Sequence, residues 1–213
     1  MRFLPSAACV AAVLLTCGAV AAQDGTAIPS VGVELLTGRI QDVAADREGT
    51  GTRAWGGQVT GGLTLYRIVN LGAEFGIVDM ADEAPFSQPT DHGDMSSSVS
   101  AFLGTFTAGL RSPRLALGET QPVTASAGLN VGHTWLSTRR MITNCSDCDS
   151  EDVDIHAGSF VEPAVQLNRG RGGLTARYRI YSGDSNWENA LMIGYSWTVS
   201  PRSKTREETA PGR

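Results

Sequence analysis

The first residues of this chain whose spacing suggests chemistry are Cys145-Ser146-Asp147-Cys148. A Cys-x-x-Cys pair can be a redox couple, half of a zinc site or a small covalent staple. Structural zinc needs a second pair of ligands, which His156 alone does not provide. In an oxidising compartment the spacing fits a disulfide that staples a loop, against which stands the strain of so tight a ring. The same stretch holds Asp147, Asp149, Glu151, Asp152 and Asp154, the oxygen donors that hard cations prefer. It lacks the glycine and the spacing of an EF-hand, so it reads as a hydrated acidic loop and no metal is assigned.

Catalytic candidates are few. His92 lies beside Asp91 and Asp94, His133 ends a candidate strand, and His156 begins another. No Ser-His-acid set can be placed by spacing, and geometry has to precede such an assignment. The run Asn168-Arg169-Gly170-Arg171-Gly172-Gly173 lacks the phosphate-loop lysine and opens no helix, so it reads as a tight turn. The sequence therefore predicts no enzyme, no cofactor and no catalytic residue.

The elements that would carry these residues begin after a distinct N-terminus. Arg2, the apolar run Ala7–Val20 and the small residues Ala19–Ala22 have the order of a secretory signal peptide. Residues 1–22 are expected to be removed. Removal takes Cys9 and Cys17 with it and leaves 16 basic against 22 acidic residues. An acidic balance of this kind gives no reason to expect nucleic acid as a partner. Twenty-five glycines with only 18% charged residues is an unusual balance for a protein with a water-facing surface.

From Ser30 to Val199 the dominant pattern has period two, the spacing that sends successive side chains to opposite faces of a sheet. Val31, Val33 and Leu35 alternate with Gly32, Glu34 and Leu36; Leu71, Ala73, Phe75 and Ile77 alternate with Gly72, Glu74, Gly76 and Val78. Comparable alternation runs through Trp55–Tyr66, Val123–Thr134, Val161–Asn168, Leu174–Tyr181 and Leu191–Val199. An eighth strand, Ser97–Leu110, slips phase between Leu103 and Phe106, which predicts a β-bulge near Gly104-Thr105. Pro163 is awkward in a closed sheet, where no free edge excuses a missing N–H. Connections alternate between long (Thr37–Ala54, Asp79–Ser96, Leu136–His156, Ser182–Asn189) and short (Arg67–Asn70, Arg169–Gly173). The segment Arg111–Pro122 is longer than this layout requires.

Of the two faces, one is apolar and the other is mostly Gly, Ser, Thr, Gln and Asn, with Glu34, Glu74, Glu162, Arg177 and Arg179 as its charges. A water-exposed face would carry more Lys, Asp and Glu. Small polar residues suit the crowded interior of an eight-stranded barrel. The five charges fall at similar heights along their strands, which predicts a paired network across the lumen. Trp55 and Trp135 fall at the loop ends of their strands and Tyr66 and Trp197 near the turn ends, as membrane-interface aromatics do.

On these residues the region Ser30–Val199 resembles the small eight-stranded outer-membrane barrels of the OmpA/OmpX type. Its last strand, Gly194-Tyr195-Ser196-Trp197-Thr198-Val199, is similar to the terminal signal read by the barrel-assembly machinery in that class, with Gly194, Trp197 and Val199 at the matching positions. The resemblance implies an all-β, eight-stranded antiparallel up-and-down transmembrane β-barrel over residues 23–199; the chain departs from the usual form in the polar stretch 200–213 that follows the signal, which is expected to be a disordered periplasmic tail. It implies the outer membrane as location, outer-membrane lipid as surroundings and an extracellular partner reached through the loops. A fold of this class does not supply an activity. The expected role is envelope support or surface interaction with a packed lumen. The alternatives are a barrel-type lipid-modifying enzyme and a lipocalin-like carrier of an apolar ligand.

Overall fold

The computed structural model describes residues 27–41, 51–80, 89–90, 93–94, 96–118, 123–143, 151–152, 155–183 and 185–199. The expected leader, His92, the Cys145/Cys148 pair and the C-terminal tail lie outside them. Eight long strands form the body: β1 Ala27–Gln41, β2 Gly51–Leu65, β3 Val69–Met80, β4 Ser96–Arg111, β5 Val123–Thr143, β6 Ser159–Arg169, β7 Gly172–Tyr181 and β8 Trp187–Thr198. Each pairs antiparallel with its neighbour in sequence, and β8 returns to pair with β1, with Leu35 opposite Ile193. The sheet is thereby closed, which leaves it no edge.

The turns follow from local chemistry. Tyr66 and Arg67 both take positive φ, 49° and 65°, and the Ile68 amide donates to the Leu65 carbonyl at 3.1 Å. This two-residue turn has the backbone twist that antiparallel strands need, although it is built without glycine. Gly170, at φ 62°, opens the β6–β7 turn. The long connection after β4 continues the ladder: Leu115 and Ala116 pair with Ala125 and Thr124 of β5. Its length is used up by strand pairing.

The outer face is apolar. Val33, Leu35, Val59, Ile77, Phe102, Leu129, Val165, Leu174, Ile180 and Ile193 are exposed. Leaving such a continuous surface in water would forgo roughly 25 cal/mol for each Å², and lipid is its natural solvent. From Phe102 to Leu110, at ~3.3 Å per residue and a tilt of ~40°, this belt rises roughly 20 Å, comparable to the apolar band of outer-membrane barrels. On the loop side the outward residues turn polar on every strand, at Thr37, Arg53, Asp79, Ser100, Ser137, Ser159, Ser182 and Asn189. Above that line Arg39 pairs with Glu188 at 3.2 Å, and Ser100 donates to Asp79 at 2.7 Å.

Several expectations need correction. No bulge interrupts β4: its register against β3 and β5 is continuous from Val99 to Leu110. Val99, Ala101 and Leu103 instead point inward and are buried, while Phe102 is exposed to the outside. Two apolar faces, one of them in the lumen, had mimicked a phase slip. The one register irregularity in the β1–β8 pairing falls between Arg39 and Ile40. β5 does not stop at Thr134 but continues to Thr143 against β4, so Trp135 stands mid-strand. It is nonetheless the last apolar outward residue before Ser137, as Trp55 is before Arg53. Pro163 is accommodated by a gap. β6 pairs Val161 with Ile180 and resumes at Ala164 with Arg177, whereas its ladder to β5 runs through unbroken.

Candidate functional site: a closed, charged lumen

The inward faces fill the barrel in layers. On the loop side Leu36, Ile40, Val78, Met80, Leu103, Met192 and Trp187 form a buried apolar plug, with Ile155 and Ala157 packed on it. Trp187 was missed because it precedes the alternating part of its strand and reads as loop. Apolar residues on the polar face, such as Leu36 and Val78, were the available signal for the plug.

Below the plug lies the charge network. Glu34, Glu74, Glu162, Arg177 and Arg179 come from β1, β3, β6 and β7, and period two turns each of them inward. Arg177 reaches all three carboxylates: it donates from Nε to Glu34 at 3.1 Å and from Nη1 to Glu162 at 3.1 Å, and forms short contacts with Glu34 and Glu74. Arg179 donates to Glu162 from Nε at 3.0 Å and from Nη2 at 2.7 Å, and to Glu74 at 2.9 Å. Its guanidinium also lies 4.0 Å from the centroid of the Phe160 ring, in cation–π geometry. Neutral groups donate to the same carboxylates. Gln58 donates to Glu34 and Glu74 at 2.8 and 3.1 Å, Asn130 to Glu162 at 3.0 Å, and Thr175 to Glu34 at 3.1 Å. Glu162 and Arg179 are 0% exposed and Glu74 is 2% exposed. Buried charge is tolerated when it is paired and hydrogen-bonded in this way.

Gly194 lies opposite Glu34, and a Cβ there would sit 2.2 Å from the Val33 carbonyl and 2.4 Å from Glu34 Cγ. Glycine is what lets Glu34 lean across β8. Trp197 packs edge-on to Tyr195 at 4.7 Å on the outer face near the turn end, and Tyr66 is exposed in the β2–β3 turn. Val199 follows β8, and its amide donates to the Pro29 carbonyl at 2.9 Å.

The network holds charge but offers no reactive group. Its oxygens are occupied by its own donors. Among the described residues no group of three or more His, Cys, Asp or Glu side chains could hold a metal ion. His133 faces outward within the belt, below Trp135. Its Nδ1 is 3.2 Å from Ser159 Oγ and its ring is 4.7 Å from that of Trp135. Among the described residues no carboxylate contacts it. An apolar plug and a paired charge network occupy the part of the interior where a carrier would need an apolar cavity. A closed barrel with an apolar outside and a polar, packed inside is at home in the outer membrane.

No family model matches this chain, and no curated protein matches it. Solved structures do. The attachment invasion locus protein Ail of Yersinia pestis aligns at 13% identity and a TM-score of 0.44, over 81% of this chain and 97% of that one. The same protein bound to the heparin analogue sucrose octasulfate gives 14% and 0.47, over the same shares. Neisserial surface protein A gives 6% and 0.40, again over 81% and 97%. At such identities the likeness extends to fold alone.

Proposed function

We propose that this chain is a non-enzymatic outer-membrane barrel that keeps its lumen closed and works at the cell surface, through its loops and strand extensions or as envelope support. The supporting observation is that β4 and β5 run on past the apolar belt while an apolar plug fills the loop side of the lumen. β4 and β5 remain paired from Phe102 and Ser137 up to Ser96 and Thr143, beyond the line where the outer face turns polar. Pairing strands above the membrane orders backbone that would otherwise be loop. That order makes a platform for an extracellular partner. Gly194, Trp197 and Val199 serve the barrel-assembly machinery in this reading, and Cys145 and Cys148 close a loop by a disulfide.

The test has two parts. Planar-bilayer recordings of the purified chain are expected to show no discrete conductance, and steady channel openings would sink the closed-lumen reading. Shortening the β4–β5 hairpin above Ser137 is expected to preserve a heat-modifiable barrel on gels while removing the surface or envelope phenotype of a deletion strain. If the shortened chain complements fully, the surface role is wrong. The Ser159–His133 contact at the lipid border favours one second reading, a lipid hydrolase. It requires wild-type hydrolysis of a fluorogenic phospholipid that Ser159→Ala abolishes.

A further inference from the structure

At the turn end polar side chains leave the lumen partly open. A half-open cavity of about 140 Å³ lies there, lined by Ser30, Thr60, Thr107, Ser126 and Gln166, with Glu34 and Arg177 at its inner wall. Arg111, the last residue of β4, points into it. The alternation ends at Leu110, which places Arg111 in the connection by sequence alone. Unlike Arg177 and Arg179, it has no carboxylate partner among the described residues. It donates from Nε and Nη2 to Ser126 Oγ at 2.9 and 2.7 Å, and forms a short contact with Gln166 Oε1.

These direct partners are neutral, and none carries a countercharge. A guanidinium carries five N–H donors, and those on Nη1 have no acceptor among the described contacts. Ser126 is 6% exposed and accepts twice from Arg111, so its own O–H remains as a donor for something else. Gln166 is held in place by donating to Ser196 at 2.8 Å. Arg114, exposed on the following connection, adds positive field at Arg111. A half-buried cation met only by neutral acceptors, beside free donors and a cavity, is a site built for an anion.

We propose that this vestibule binds a small monovalent oxyanion, a carboxylate or monobasic phosphate, on Arg111 Nη1 and the Ser126 hydroxyl. Preference for one negative charge follows from the neighbouring network, in which three carboxylates outnumber two guanidiniums. A dianion would meet that excess across the cavity.

The full chain in an uncharged maltoside detergent would be titrated with acetate, inorganic phosphate at pH 6 and sulfate. The backbone amide resonances of Ser126 and Gln166 would be followed. Saturable shifts with acetate or phosphate are expected, with sulfate several-fold weaker; which of the two binds more tightly identifies the source of the oxyanion. Arg111→Gln should weaken binding at least tenfold, Ser126→Ala less, and Arg171→Gln on the neighbouring turn not at all. Gel heat-modifiability checks that each variant is folded, and Ser126→Ala carries the test if Arg111→Gln does not fold. Shifts that fail to saturate, that persist unchanged in the folded variants, or that are strongest with sulfate would overturn the proposal.

Discussion

Replacing Arg179, the fully buried guanidinium of the lumen, by methionine should be strongly destabilising. Methionine keeps most of the length and apolar volume while removing the charge. In the native network three carboxylates face two guanidiniums; in the variant they face one. Glu162 loses donors at 3.0 and 2.7 Å, and Glu74 loses one at 2.9 Å. Both carboxylates are buried, Glu162 completely, so water is a poor replacement for those donors. Breaking one buried ion pair costs about 3–5 kcal/mol, and Arg179 serves two carboxylates, so the upper end applies. Glu162→Gln removes a negative charge instead and leaves the network balanced. It should cost only ~1–3 kcal/mol for weakened hydrogen bonds. Combining the two should cost less than their sum, because the charge left unpaired by the first is removed by the second. The assay is urea unfolding in lipid vesicles, followed by tryptophan fluorescence and checked by gel mobility. If Arg179→Met lies within about 1 kcal/mol of wild type, water already solvates these charges and the argument from desolvation fails.

Three further changes probe the turns, the seam and the polarity of the wall. Arg67→Gly relieves a side chain held at φ 65° and should raise barrel stability by up to about 1 kcal/mol; a loss in the unfolding assay would mean that the Arg67 side chain has a use the turn does not reveal. Gly194→Ala places a methyl against Val33 and Glu34, and should lower the yield of heat-modifiable barrel because the clash lies on the closing β1–β8 ladder. Ile193→Arg faces the lipid and should cost about 2–4 kcal/mol near the bilayer midplane. A neutral result in vesicles would argue that this face is not in lipid.

Most of the architecture could be read from alternation because one face of each strand contacts lipid along a long stretch. The signal failed where lumen and lipid make the same demand. Val99, Ala101 and Leu103 face the plug, so β4 is apolar on both sides over part of its length, and period two cannot say which side is out. Strand ends failed for another reason. Beyond the membrane line the outward residues Ser137 and Arg139 of β5 are polar and the apolar alternation stops, so Leu136–Thr143 resembles loop although it is held by pairing to β4. The charged residues were legible because a lone Glu or Arg among Gly, Ser and Thr stands out. Arg111 was not, because it lies next to a connection rich in polar residues, and only the register turns it inward.

The gap at Pro163 gives the wall an unequal strength around its circumference. At the rows where β6 and β7 lose their backbone pairing, Glu162 and Arg179 face each other and are joined by two side-chain hydrogen bonds. Charge stitches the sheet where the peptide ladder is open. Elsewhere a mutation in the lumen leaves the wall's own hydrogen bonds intact; along this line it also cuts a fastener. Amide exchange should therefore be fastest beside Glu162 among the mid-strand positions, and if the cylinder ever splits lengthwise, β6 and β7 are where the tear would start.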